Sequence, residues 1–418
     1  MTRRRPVLTV TAAFVGALAL LRAQPQPAVA ALAQDERVRN ALETARTTES
    51  QTIEDQIRFC EVPAPPFKEA ARAEVLRRAF LDLGLLNVRL DRVGNVLADR
   101  PGHASRPRLV VAAHLDTVFP DDTDVKVRRA GAMLRGPGIG DNCRGLAVLV
   151  AIARVLKQAN VQTPGTVTFV ANVGEEGLGD LRGMKILFGE TLKGQIDQFV
   201  SIDNGGTHIT TVGIGSRRYR VTFKGPGGHS FGDFGLPNPA SALGRAVAKI
   251  ADFQVPGTPR TTFNVGRVGG GTSVNAIPHE AWMEVDLRSS TPDALSALDT
   301  QLQRTIETAA ADENARWGRR GVITVVKTLV GDRPAGRQPE NSPIVLTALA
   351  AASTLGIAVS FSESSSDANL PMSLKIPAIA IGAGGRSDGS HTLDESFDTR
   401  ESWKGTQHAV LLTIALAR

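Results

Sequence analysis

The chain has 418 residues, 42% apolar and 22% charged, which is too long for one ordinary core and typical of a two-domain globular protein. Its formal net charge is +6, but Arg3, Arg4, Arg5 and Arg22 supply four of those charges before the first acid, so the remainder is close to neutral. No Lys/Arg-rich block with interleaved aromatics occurs, which excludes a nucleic-acid footprint.

Residues 1–30 read as a secretory signal. Arg3, Arg4 and Arg5 form a basic start, and residues 7–21 are uncharged, apolar and short for a membrane span. Ala28-Val29-Ala30 gives an A-x-A cleavage site, with Leu21-Arg22-Ala23 as a nearer alternative. The expectation is an exported protein, periplasmic or secreted, with no stable membrane span after cleavage. Cys60 and Cys143 are the only cysteines; they are too few for a disulfide framework and read as free packing thiols.

Apolar spacing predicts helix within residues 35–59 and again over 68–83, where Gly84 is the stop. Pro63-Ala64-Pro65-Pro66 separates them as an extended connection. Short strands follow at 88–90 and 95–98. Residues 108–113 are a valine-rich buried strand that stops on His114-Leu115-Asp116. A glycine-rich loop, Gly136 to Gly145, enters a helix over 146–158 that is apolar nearly all round and therefore buried. The buried strand 166–173 ends on Gly174-Glu175-Glu176-Gly177, and the strand 198–202 ends on Asp203. Apolar strands alternating with helical patterns predict a mostly parallel sheet sandwiched by helices.

From about residue 216 the pattern changes. Strands that alternate (219–224, 262–268, 281–288, 322–327) are interleaved with helices at 238–253 and 292–315. The order β-α-β-β-α-β is the ferredoxin-like split-βαβ sandwich. The first pattern resumes after residue 329, with a helix at 342–355, a Ser-rich loop, an apolar strand at 378–381, a second glycine-rich loop leading to His391, and a last helix at 403–416. The chain therefore reads as α/β: residues 31–215 and 329–418 form one catalytic domain, and 216–328 are inserted into it.

His114, Asp116, Glu175, Glu176 and Asp203 lie at or just after buried strand ends, Asp141 opens a buried helix, and His391 returns from the far end of the chain. Groups at the carboxyl ends of parallel strands converge on one edge. So many carboxylates beside two imidazoles repel one another unless cations compensate. A set of oxygen and imidazole donors without thiolate suits Zn²⁺, with Mn²⁺ or Co²⁺ as substitutes. Neighbouring residues on a regular element point apart, so Glu175 and Glu176 cannot share one task.

Six motifs in order, His114-Leu115-Asp116-Thr117-Val118, Gly140-Asp141-Asn142, Glu175-Glu176-Gly177, Asp203, Gly227-Gly228-His229-Ser230 and Ser390-His391-Thr392, resemble the co-catalytic zinc hydrolases. That family includes glutamate carboxypeptidase (carboxypeptidase G), tripeptide aminopeptidase, aminoacylase and succinyl-diaminopimelate desuccinylase. The resemblance covers most of the mature chain. It implies two Zn²⁺ per chain bridged by Asp141, with Glu176 and His391 completing one site and His114 and Asp203 the other. It makes Asp116 the support of His114, Glu175 the general base, and His229 an oxyanion donor acting on a partner subunit's site. It implies that the inserted domain is a lid through which the chain forms a homodimer, and that the Asp141–Asn142 peptide is cis. Asn275 and Arg288 resemble substrate-binding positions, Arg288 as a fork for a carboxylate. Ser365-Ser366-Asp367-Ala368-Asn369 resembles a segment near the substrate, although Asp367 also suits a helix start.

The expected function is hydrolysis of a peptide bond by an exopeptidase, of the di-/tripeptide or carboxypeptidase type, on a metal-activated water. The alternative is an N-acyl amino acid amidohydrolase. A non-catalytic binding or scaffold relative would lack Glu175 or a ligand, and none is missing.

Overall fold

The computed structural model describes residues 27–318 and 321–418. The signal segment lies outside the described residues except for Pro27 to Ala30, which begin the helix Pro27–Leu32. No helix among the described residues is long and apolar enough to cross a membrane.

A nine-stranded sheet forms the centre. Its middle is parallel: Thr166–Asn172, Arg108–His114, Gln198–Ile202 and Ala378–Ile381 lie side by side in that order. Every residue of Thr166–Asn172 is buried, as expected for a strand covered on both faces. On one face lies Cys143–Gln158, buried from Cys143 to Leu156, with Glu36–Thr47, Glu49–Cys60 and Trp403–Leu416 packed around it. The other face is covered by Leu181, Met184, Leu187, Phe188 and Met372.

The second sheet is antiparallel, in the order Thr261–Gly270, Glu280–Ser289, Gly215–Lys224, Thr324–Arg333. With the helices Pro239–Ala251 and Pro292–Trp317 it makes the inserted β-α-β-β-α-β unit. Strict alternation buries every second residue of Glu280–Ser289, and Val221, Phe223, Met283, Leu302 and Ile306 form a separate core beneath the helices.

Three local expectations change. Residues 35–59 form two helices that break at Thr48. His208–Gly213 is a strand, and Ser360–Ser364, which the sequence presents as a Ser-rich loop, pairs with it in parallel. Ser360–Ser364 is mostly exposed, so its ladder rests on backbone bonds and leaves no apolar signature. A small antiparallel sheet (Arg386–Asp388, Ser396–Asp398, Met133–Arg135, Arg128–Ala130) also forms. It joins the two glycine-rich loops, so Asp141 and His391 arrive together.

Arg72 fixes the start of the site from below. Fully buried, it donates from Nη1 to the Leu115 carbonyl (2.7 Å), from Nε to Val62 (2.9 Å) and from Nη2 to Cys60 (3.3 Å). We expect Arg72→Ala to lower stability by about 3 kcal/mol, because the buried carbonyls of Leu115 and Cys60 and the half-buried one of Val62 lose their donor. Urea unfolding reads this directly, and a loss under about 1 kcal/mol would mean that water replaces the guanidinium.

Candidate metal centre

The strand Arg108–His114 delivers His114 to the sheet edge with 1% of its surface exposed. Its Nδ1 lies 3.0 Å from the backbone carbonyl of Asp116. That contact assigns one ring proton to Nδ1 and turns Nε2 toward the neighbouring acids. Nε2 is 3.2 Å from Asp141 Oδ1 and 3.7 Å from Asp203 Oδ1. The sequence reading gives the support of His114 to the Asp116 carboxylate. In the structure that carboxylate stands 3.8 Å from Nδ1 and instead accepts from the amides of Glu175 (3.0 Å) and Glu176 (2.7 Å). Asp116 thus serves two ligand-bearing segments, one through each end of the residue.

Asp141 sits at the end of the glycine-rich loop, and its peptide to Asn142 is cis. Asn142 caps the following helix: its Oδ1 accepts from Gly145 N at 3.1 Å and from Asn204 N at 3.2 Å. A residue absent from the sequence reading holds the loop. The buried Glu395 accepts from the amides of Gly138 (3.0 Å), Gly140 (2.8 Å) and Asp141 (2.9 Å). A Cβ at Gly140 would fall 2.2 Å from Ser387 Oγ and 3.1 Å from Glu395 Oε1, so only glycine admits this closeness. His391 follows Ser390 with φ of 68° and places Nε2 3.0 Å from Glu176 Oε1 and 3.4 Å from Asp141 Oδ2.

The two oxygens of Asp141 therefore face two different imidazoles. His114, Asp141 and Asp203 present ligand atoms within 4.8 Å of one another, and so do Asp141, Glu176 and His391. Asp141 Oδ1 is buried without a hydrogen-bond partner. An orphaned carboxylate oxygen among imidazole nitrogens and carboxylates fits divalent cations. Burial works against charge on His114, but Asp141 and Asp203 outweigh it and raise its pKa well above the usual value. Asp141 and Glu176 push His391 up to about 10. Burial raises Glu175 well above the carboxylate range although Arg333 pulls the other way.

The candidate centre opens onto a cavity of about 710 Å³. Arg288 lines it, as do Arg218, Arg333, Ser362 and Ser387. Asp286 holds two of these arginines in place, accepting from Arg218 Nε (3.0 Å) and Arg288 Nε (2.7 Å). His208 also borders the cavity. Asp367 is buried beside the cluster, accepts from Asn172 Nδ2 at 2.8 Å, and is raised by burial to about 7. His229 and Asn275 lie elsewhere. Gly228–His229 pairs with Ala276–Ile277, and Ser230 N donates to Asn275 O at 2.9 Å. The structure brings these two together on the inserted unit, exposed and outside this chain's cavity lining.

Residues 110–415 match the sequence profile of the Peptidase family M20/M25/M40. The chain belongs to that family. M20 enzymes are metal-dependent hydrolases, and so is this protein. It is 24% identical over 383 residues to the uncharacterized Bacillus subtilis protein YqjE, covering 87% of this chain and 98% of that one. It is 24% identical over 274 residues to the N-acetylcysteine deacetylase of Bacillus subtilis, covering 61% and 70%. The crystal structure of aminopeptidase PepT from Bacillus cereus shares the fold, with a TM-score of 0.71, 22% identity, and coverage of 88% and 99%.

At about 10, His391 carries a proton near neutral pH, and Asp141 and Asp203 favour one on His114, so a cation must compete with protons for these nitrogens. Adding Zn²⁺ to metal-stripped protein at pH 7 should release about two protons per chain, read as buffer-dependent heat in calorimetry. Binding without proton release would place the ions elsewhere.

Proposed function

We propose that this M20 protein is a dinuclear zinc exopeptidase acting on small peptides with a free carboxylate. The observation that carries this reading is the Asp141 carboxylate, with Oδ1 3.2 Å from His114 and Oδ2 3.4 Å from His391. Asp141 would hold both ions, His114 and Asp203 one of them, and Glu176 and His391 the other. The ions, zinc or Mn²⁺ or Co²⁺ in its place, would polarise the substrate carbonyl and make a water acidic near neutral pH.

Glu175 then handles the proton. Its carboxylate takes one from the attacking water and passes it to the leaving amine nitrogen. Burial favours this, since a raised pKa brings the group closer to the working pH. Arg288 keeps donors free beyond its bond to Asp286 and would grip the substrate carboxylate bidentately. Outside the acid and imidazole cluster the cavity wall is polar, with three arginines, several serines and Asp388, and Val118 is its one aliphatic side chain, so an apolar substrate side chain gains little there. Acidic and polar side chains fit the wall better.

The second reading is an N-acyl amino acid amidohydrolase. The likeness to N-acetylcysteine deacetylase favours it, and the same base and carboxylate grip would serve it. A panel of dipeptides, tripeptides and N-acyl amino acids, each with free or amidated carboxyl group, separates the two. We expect cleavage of free-carboxylate peptides, fastest with acidic or polar side chains, and a loss of about 10²- to 10⁴-fold in kcat for Glu175→Ala with metal retained. Full turnover in that variant would remove Glu175 as the base, and preference for N-acyl substrates would select the second reading.

The dimer and the export signal belong to the same proposal. His229 Nδ1 accepts from the amides of Phe231 (3.3 Å) and Gly232 (3.2 Å), which leaves Nε2–H to donate to a developing oxyanion in a partner's site. Val29 packs in the main core, so cleavage after Ala23 would leave the helix Pro27–Leu32 whole, whereas cleavage after Ala30 would cut it. Sedimentation and intact mass of the exported protein should show a homodimer of chains beginning at residue 24. A fully active monomer would defeat the trans role of His229, and a chain that keeps Met1 would defeat the signal reading.

A further inference from the structure

The turn that carries Glu175 and Glu176 is gripped by the root of the inserted unit. Arg333 ends the strand Thr324–Arg333 and pairs with Ser216 at the start of Gly215–Lys224, so both strands that join the unit to the rest of the chain meet there. Its guanidinium is 4% exposed. Nη1 donates to Glu175 Oε1 at 3.0 Å and to Ser365 Oγ at 3.2 Å, and Nη2 donates to the Glu175 carbonyl. The neighbouring amide of Asp332 donates to Asp180 Oδ1 at 2.8 Å. Arg218, from the opposing strand, donates to the Gly177 carbonyl at 2.6 Å.

Three residues of the root thus hold three points along residues 175–180. The turn needs outside support, because Asp180 and Leu181 both adopt left-handed φ, 56° and 55°, which L-residues hold at a cost of about 1 kcal/mol each. On its other side the turn is anchored to the main sheet by the Asp116 carboxylate. The Glu175 side chain is therefore fixed between the two parts of the molecule. A rotation of the inserted unit about its two connecting strands pulls on Arg333 first, and through it on the carboxylate.

We propose that Arg333 is the positioning residue that couples the inserted unit to Glu175, setting the carboxylate for proton transfer according to where the unit stands. This rests on the reading of Glu175 as the base. Only a fork of donors can bridge Oε1 and the backbone carbonyl of one residue together; a lysine offers a single point charge.

The test uses the full-length, metal-loaded protein and the best substrate of the peptide panel. Arg333→Met should keep wild-type metal content and a KM within about threefold, while kcat falls about 10²-fold, as for a reacting group misplaced by about 1 Å. Amide exchange over residues 174–182 should quicken while the core of the inserted unit keeps its protection. Arg333→Lys should fall between the two. Asp180→Ala, which loosens the same grip without touching Arg333, should quicken exchange over the same residues, and Asp180→Asn, which keeps the acceptor, should not. If Arg333→Met fails to fold, Arg333→Lys and Asp180→Ala carry the test. Unchanged kcat with wild-type exchange would overturn the proposal. So would a rise in KM alone, which would make Arg333 a substrate contact. Should Glu175→Ala be fully active, the base reading fails and the proposal with it, yet faster exchange in Arg333→Met would still report the grip; the two failures are therefore distinct.

Discussion

Everything at the sheet edge depends on keeping like charges close together without water. Asp141, Glu175, Glu176, Asp203 and Asp367 crowd around two imidazoles, most of them buried. Each buried carboxylate costs several kcal/mol of lost hydration unless something replaces the water. Main-chain amides do this for the two supporting acids. Asp116 takes the amides of Glu175 and Glu176, and Glu395 takes those of Gly138, Gly140 and Asp141. Amides cannot drift away as long side chains do, so the same bonds solvate Asp116 and Glu395 and place the segments that carry Asp141, Glu175 and Glu176. Asp141 Oδ1 is left out of this arrangement, and it is the atom a cation would claim.

The buried arginines follow from the same constraint, run in reverse. Loops that must pass under the site carry carbonyls with no strand or helix to pair them. Arg72 collects three such carbonyls, and Arg144 takes those of Ala383 (3.0 Å) and Ser402 (2.9 Å) while its charge is met by Glu49 at 2.9 Å. Glu395 and Arg144 together tie residues 136–145 to residues 383–406. Without those ties His391, the last of the candidate ligands, would hang on a loop more than 200 residues away in sequence from its partner Glu176.

The parts legible in the sequence are those whose signal is local. The strand Arg108–His114 is visible because a strand buried on both faces must be apolar throughout, and Gln198–Ile202 and Ala378–Ile381 for the same reason. Alternation does the same for Glu280–Ser289. Ligand candidates show because acids and histidines are conspicuous at the ends of such runs. What stayed hidden is set by partners far along the chain. Glu395 looks like any turn acid until residues 138–141 close on it, and Arg333 looks like the polar end of a strand until Glu175 lies against it. Asp116 stands beside His114, but spacing alone cannot tell its carbonyl, 3.0 Å from Nδ1, from its carboxylate, 3.8 Å away. The edge strand Ser360–Ser364 shows no apolar pattern, since it pairs through its backbone and a Ser362–Thr210 hydroxyl contact of 2.8 Å.

The placement of His229 and Asn275 shows how the inserted unit divides its labour. Its root, around Ser216 and Arg333, is fastened to the turn that carries Glu175, whereas the hairpin with His229 and Asn275 is exposed and absent from this chain's cavity lining. Within a single chain, then, the unit acts on the site through its root and the arginines beside it, not through that hairpin. Arg218 belongs to both functions, because one guanidinium bonds Gly177 of the turn and Asp286 beneath Arg288. A substrate carboxylate drawn to Arg288 would perturb Asp286, and Asp286 is one bond from Arg218. The chain of charged hydrogen bonds from Arg288 to Asp286, Arg218 and Gly177 therefore gives an anion bound at Arg288 a direct physical route to the turn that holds Glu175.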